Sequence, residues 1–359
     1  MINHAQPKFG MQSLLALPLA AIAAVVLFAA LKALGSVLKP LAFAWVLMLI
    51  LAPVVRLATQ RLRIPQTLAI LLAMALTLLV FFEAGTFLNS LVTSFVPKYP
   101  EYLDKLQALL RHFYERLNPH AVAMLKEFDW QSRLSKSVLS LSGLLISASS
   151  TTVVVLIITS FMLIEQRDFS LKITEAFDSP ERVAGVLGTI SSQVSRYLGL
   201  QLVISAATGL CVWLALLAIG IDFAATWGVL AFVLNFIPTI GSILASIPPL
   251  LIALVQYAPE SYWPFFAALL AILAIQTIIG NVISPRLMGN RLNISPVAIL
   301  VSLLFWNWLW GVPGALLATP VTAAIKIVCD NIAPLRPIGV LLGSGRPLRK
   351  AAKEAAETA

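Results

Sequence analysis

The chain of 359 residues is 59% hydrophobic and only 11% charged, where a soluble domain carries about 25% charged residues. With a mean hydropathy of +0.92, this excludes a soluble domain and indicates an all-α polytopic membrane protein; the apolar runs are too continuous for the alternating strands of an outer-membrane barrel. The net charge of +9 calls for no nucleic acid, because Lys and Arg held on the cytoplasmic side of a membrane protein give a basic total by themselves.

The first apolar run, 10–31, is longer than the roughly 7–15-residue core of a signal peptide, so an uncleaved first span is expected. Lys32 and Lys39 flank a tight connection to a second span, 41–55, which ends in Arg56, Arg61 and Arg63. This cluster belongs in the cytoplasm, and with it the N-terminus. The third span, 64–88, carries one charge, Glu83, near its far end. Glu83 reads as a structural carboxylate at the membrane edge or as an ion-coupling group.

Residues 1–96 thus hold three spans, and the character then changes. Twelve of residues 97–137 are charged, while Leu103, Leu106, Leu110, Phe113 and Leu117 recur at the spacing of an amphipathic helix. Alternation of spans puts 97–136 outside, as a solvated cap, a surface helix or a subunit contact. A fourth span within 137–165 ends at Glu165. A second charged amphipathic stretch, 166–196, is cytoplasmic, with Ser179-Pro180-Glu181 as a helix start. The fifth span, 197–219, returns to the outside at Asp222.

The remaining core, up to residue 329, holds three charge-free runs: Phe223 to Pro259, Ser261 to Pro285 and Leu292 to Ile325. The first and third are 37 and 34 residues long, roughly 50 Å as continuous helix, too long for a single crossing at ordinary tilt. Both are broken in the middle. The first reads Asn235-Phe236-Ile237-Pro238-Thr239-Ile240-Gly241, and the third reads Trp310-Gly311-Val312-Pro313-Gly314 with Pro320 beyond. Proline and glycine free backbone polar groups there, which hydrocarbon tolerates only where they are buried in protein or line a wet cavity. About six full spans plus two broken or re-entrant hairpins are therefore expected. Entry of the hairpins from opposite faces puts Arg286, Arg291 and the basic tail 330–359 in the cytoplasm. Paired interrupted segments of this kind point to a midplane transport site.

Catalytic constellations are absent. No His falls in an apolar run, and there is no His-Glu zinc pairing, Gly-Lys-Ser/Thr phosphate loop or Gly-x-Ser-x-Gly elbow. No enzyme, cofactor or metal is expected, and Cys211 and Cys329 read as packed thiols. The apolar core instead holds neutral polar groups. Asn235, Thr239 and Ser242 lie at the first break, Gln276 and Asn281 on the run between the hairpins, and Asn307 and Thr319 around the second break. Each needs a partner in hydrocarbon, either a helix–helix hydrogen bond or a solute. Candidate path residues are therefore Asn235, Pro238, Thr239, Gly241, Gln276, Asn281, Asn307, Gly311, Gly314 and Pro320. Glu83 and Asp222 are candidates for ion coupling. Asp222 and Lys326, which close the long runs, otherwise read as interface anchors.

Four blocks occur in order: Asn235-Phe-Ile-Pro238-x-Ile-Gly241; Gln276-x-x-x-Gly280-Asn281-x-x-x-Pro285-x-x-Met288-Gly289; Leu292-x-x-Ser-Pro296; and Trp310-Gly311-x-x-Gly314-x-x-Leu317-Ala318-x-Pro320. Together they resemble the autoinducer-2 exporter family of permease-like bacterial membrane proteins. The chain departs from that pattern at Thr239 and Ser242, both at the first break. The resemblance implies an oligomeric secondary transporter of the bacterial inner membrane, exporting a small polar signalling solute, or alternatively exchanging sodium for protons. A membrane scaffold acting through 97–136 or 169–196 is the reading from another class.

Overall fold

The computed structural model describes residues 11–114, 151–166, 168, 171–172, 175–176, 180–238, 240–258, 260–288 and 294–345. Thr239, Gly289, much of 97–136, the start of the fourth span and the end of the tail lie outside this set. Among the described residues the fold is helical, and the one strand-like feature is an isolated bridge between Ile294 and Gly343. Among the described residues six helices are long and apolar enough to cross a membrane. Their outer surfaces are studded with large apolar side chains, such as Leu270 at 71% exposure, as expected where lipid is the solvent.

Helix α1 (Met11–Ala33) turns at Leu34 into α2 (Gly35–Arg61). Helix α3 (Gln66–Tyr114) continues through Pro97 and Pro100, so the amphipathic segment begins as an extension of the third span. Helix α4 (Thr151–Gln166) precedes α5 (Pro180–Ile219), which starts with proline in its first turn and runs from the charged stretch straight into the fifth span.

Each broken run folds as a helix–turn–helix hairpin. The first comprises α6 (Ala224–Leu234) and α7 (Ile240–Tyr257). Helix α6 is only about 16 Å long, half the hydrocarbon thickness. After α8 (Trp263–Ile275), a π-helical segment (Gln276–Ile283) and α9 (Ser284–Met288), the second hairpin pairs α10 (Pro296–Trp310) with α11 (Val312–Asn331). A 3₁₀ turn (Ala333–Leu335) leads to α12 (Arg336–Leu342), which folds back on α11.

Three buried clusters hold this together. One joins α2, α3, α4 and α5 to Ala323 and Ile327 of α11. A second joins Tyr102 to the ends of α5, the first hairpin and α8. The third brings Ile237 of the first hairpin's turn against Trp306, Leu309, Trp310, Ala315 and Leu317 of the second, with Phe28 and Leu31 of α1 around it. The second turn is also pinned by the Trp310 indole, which donates to the Leu31 carbonyl at 3.2 Å, and Phe28 stacks on Trp308 at 4.3 Å. The tip of the second hairpin therefore sits level with the α1–α2 turn.

Candidate functional site

The first break places polar groups where a regular helix would hide them. Asn235 caps α6, and its amide nitrogen donates to the Ser205 hydroxyl at 3.0 Å. The Gln201 amide donates to the Asn235 backbone carbonyl at 2.6 Å and lies 3.4 Å from Ser205 Oγ. Gln201, Ser205 and Thr208 are all buried on one face of α5, at the spacing that aligns helical side chains. This face lies against α6 because Gly209 and Gly228 meet there. A Cβ on Gly209 would stand 2.6 Å from the Gly228 carbonyl oxygen, and one on Gly228 would stand 2.8 Å from that of Gly209. Small residues at that crossing bring the backbones together and put the Gln201–Ser205 pair within reach of the break.

The two turns use glycine in the same way. A Cβ on Gly241 would lie 1.8 Å from the Leu234 carbonyl oxygen, and one on Gly314 would lie 2.0 Å from that of Trp306. In each case the returning helix presses its first turn onto the end of the outgoing one. Gly311 itself has φ +71°, a conformation that costs glycine little.

The remaining candidates divide. Pro238 is half-buried in the first turn, and its carbonyl accepts from Ile240 N–H. Pro320 is buried inside α11. Thr239 falls outside the described residues. Gln276 is half-buried where the π-helix begins, whereas Asn281, Asn307 and Gly311 are exposed, so those amides are not gathered into the buried seam. Glu83 is exposed on α3 and forms no ion pair among the described residues.

Asp222 is a structural junction where α5 gives way to the first hairpin. Its N–H donates to Gln256 Oε1 at 2.9 Å, its carbonyl accepts from the Trp227 indole at 3.0 Å, and its carboxylate accepts from Tyr102 and lies 3.7 Å from Lys98. The extension of α3 is thereby clasped to the first hairpin. Burial, and then the Asp222 carboxylate, push the Tyr102 phenol above its ordinary ionisation range near 10. A native value raised above the unfolded one means that the folded state holds the proton more tightly. The clasp is then fully present below about pH 10 and is lost as the pH rises through the native value. Limited proteolysis of the C-terminal part of α3 should therefore accelerate above about pH 10. Tyr102→Phe should be cleaved rapidly at neutral pH and show no alkaline step; an equal step in that variant would assign the titration to another group.

A polar stripe that sequence reading did not isolate runs down α11. Thr319, Thr322 and Lys326 are buried, each 5% exposed, and Asp330 follows one turn on. Thr322 and Ser302 share a hydrogen bond between hydroxyls, and Lys326 is paired with Asp330. Thr319 lies beside the Tyr197 phenol. Lys326, expected at the interface, is enclosed by protein instead. Among the described residues no cluster of His, Cys, Asp or Glu could hold a metal ion.

The chain is similar in sequence to known proteins. Residues 19–333 match the profile described as AI-2E family transporter. The AI-2 transport protein TqsA of Escherichia coli is 32% identical over 326 residues, 89% of this chain and 92% of its own. YhhT of Escherichia coli is 32% identical over 350 residues, 95% and 96% of the two chains. A Borreliella burgdorferi homologue is 31% identical over 90% of this chain and 89% of its own. With a match over nearly its whole length, the chain belongs to the AI-2E family of membrane transporters.

Proposed function

We propose that this chain exports a small, hydroxyl-bearing signalling solute of the AI-2 type across the bacterial inner membrane. It does so as an oligomeric secondary transporter with both termini in the cytoplasm, driven by a proton or sodium gradient. The observation that carries the reading is the Gln201–Ser205–Asn235 group at a helix break in the apolar core, beside the turn of a second hairpin. Amides and hydroxyls without charge suit a neutral polyol, which exchanges hydrogen bonds with water for equivalent ones in the site. Freed backbone at two apposed tips is the arrangement that builds midplane sites in secondary transporters. Movement of the hairpin core against the first four spans would open the site to each side in turn.

Direct cation–proton exchange is the weaker reading. It asks for a carboxylate at depth, and neither Glu83, exposed on α3, nor Asp222, engaged where α5 gives way to the first hairpin, is placed for that.

Counterflow of labelled autoinducer-2 into liposomes containing the purified protein tests the proposal. Wild-type protein should accumulate label. Asn235→Ala and Ser205→Ala should slow it about tenfold each, the equivalent of one lost hydrogen bond of ~1.4 kcal/mol. Absence of counterflow, with a sodium gradient moving protons in the same liposomes, would overturn the export reading in favour of antiport.

A further inference from the structure

Away from the hairpins the protein carries a cavity of about 840 Å³ between α2, α4 and α5, within the size range of small-molecule sites. Its body is apolar, walled by Trp45, Met48, Leu49, Ala52, Ile158 and Met162. Its charged lining is Arg56, in the last two turns of α2, and Glu165, at the end of α4, with Thr59, Gln66, Gln166 and Ser191 as neutral polar neighbours. Both side chains are exposed, and neither forms an ion pair with the other or with any described side chain. This charged lining belongs to the end of the molecule that carries Arg56, Arg61 and Arg63, where the polar surface of the bilayer begins.

An apolar body with one separated cation and one separated anion in its lining selects among occupants. A small polar solute gains nothing from the Trp45–Met162 wall. An anionic lipid would satisfy Arg56, as basic pockets between helices do, but would set its headgroup against Glu165. A zwitterionic headgroup with a phosphate and a primary ammonium satisfies both, while its acyl chain fills the body. We propose that this cavity is a binding site for an aminophospholipid of the phosphatidylethanolamine type, with the phosphate on Arg56, the ammonium on Glu165 and an acyl chain between α2, α4 and α5. No described residue of either hairpin lines the cavity. A lipid seated there fills the seam between the first spans and α5.

Native mass spectrometry of the full-length protein in detergent, titrated with phosphatidylethanolamine or phosphatidylglycerol, tests this. Wild-type protein should retain phosphatidylethanolamine about tenfold more tightly than phosphatidylglycerol, and Glu165→Lys should reverse the preference. Arg56→Ala should weaken both lipids about tenfold, the loss of one charge-assisted contact. Gly188 lines the cavity, and a Cβ there meets nothing within 4 Å. Gly188→Phe should therefore fold normally, as judged by its thermal midpoint, and lose the bound lipid. Equal retention of the two lipids by wild-type protein, or undiminished phosphatidylethanolamine on Gly188→Phe, would overturn the assignment.

Discussion

Gly241→Ala and Gly314→Ala should each destabilise the detergent-solubilised protein by about 3 kcal/mol, the upper end of the range for overpacking a well-packed site. In each, the new methyl would stand within 2.0 Å of a main-chain carbonyl oxygen, Leu234 O or Trp306 O. A flexible side chain could swing aside, but these oxygens belong to the last turns of α6 and α10, so relief requires the hairpin arms to part. The two tips share one cluster through Ile237, Trp306 and Trp310, so parting one hairpin also loosens the other. Valine should be worse at both positions and should abolish counterflow. Gly185→Ala and Gly188→Ala in α5 are the matched controls, since a Cβ there meets nothing within 4 Å. They should gain about 0.5–1 kcal/mol from the helix preference for alanine. The measurement is the thermal unfolding midpoint of the four variants in one detergent. Wild-type stability for Gly241→Ala would mean that the α6–α7 turn is not packed as described.

The hairpins were legible in sequence because their signals are local. An apolar run too long for one crossing, interrupted by proline and glycine, has few solutions in lipid. What completes the site was not legible, because it comes from elsewhere in the chain. Gln201 and Ser205 sit on α5, 30 or more residues before Asn235, inside a run that reads as an ordinary span. Their signal was present in outline: Gln201, Ser205 and Thr208 recur on one helical face, followed by Gly209. Nothing in the sequence paired Gly209 with Gly228, and that contact is what brings the face to the break. Two further features run against local preference. Helix α3 continues through Pro97 and Pro100, where proline normally ends a helix; docking of Tyr102 against the cluster it shares with α5, the first hairpin and α8 favours the continuation. The segment from Gln276 widens to a π-helix, for which its residues carry no distinctive pattern. Lys326 ends a charge-free run, and the end of a run is usually the edge of the membrane, yet its side chain is buried in protein. The Thr319–Thr322–Lys326 spacing on one face of α11 was the better guide.

That burial makes an asymmetric prediction for the Lys326–Asp330 pair. Lys326 has a side chain only 6% exposed, whereas Asp330 is 40% exposed. Removing the acid strands an ammonium inside protein, which costs 3–5 kcal/mol when both partners are fully buried. Because solvent reaches Asp330 and screens part of the interaction, about 2 kcal/mol is the expected loss for Asp330→Asn. Removing the base is milder. Lys326→Met keeps most of the stem that packs in the seam and leaves a carboxylate that water already touches, so the loss should stay under about 1 kcal/mol. The double variant should resemble Lys326→Met rather than the sum, since the stranded charge is gone, and a double-mutant cycle on thermal midpoints reads this directly. Gly339→Ala offers an independent route to the same state: a Cβ there would lie 2.3 Å from Asp330 Oδ1, displacing the carboxylate without altering either charge. It should reproduce much of the Asp330→Asn loss in wild-type protein and little of it in the Lys326→Met background. A Lys326→Met loss as large as that of Asp330→Asn would reverse the argument, because the ammonium itself, and not its isolation, would then be what the fold requires.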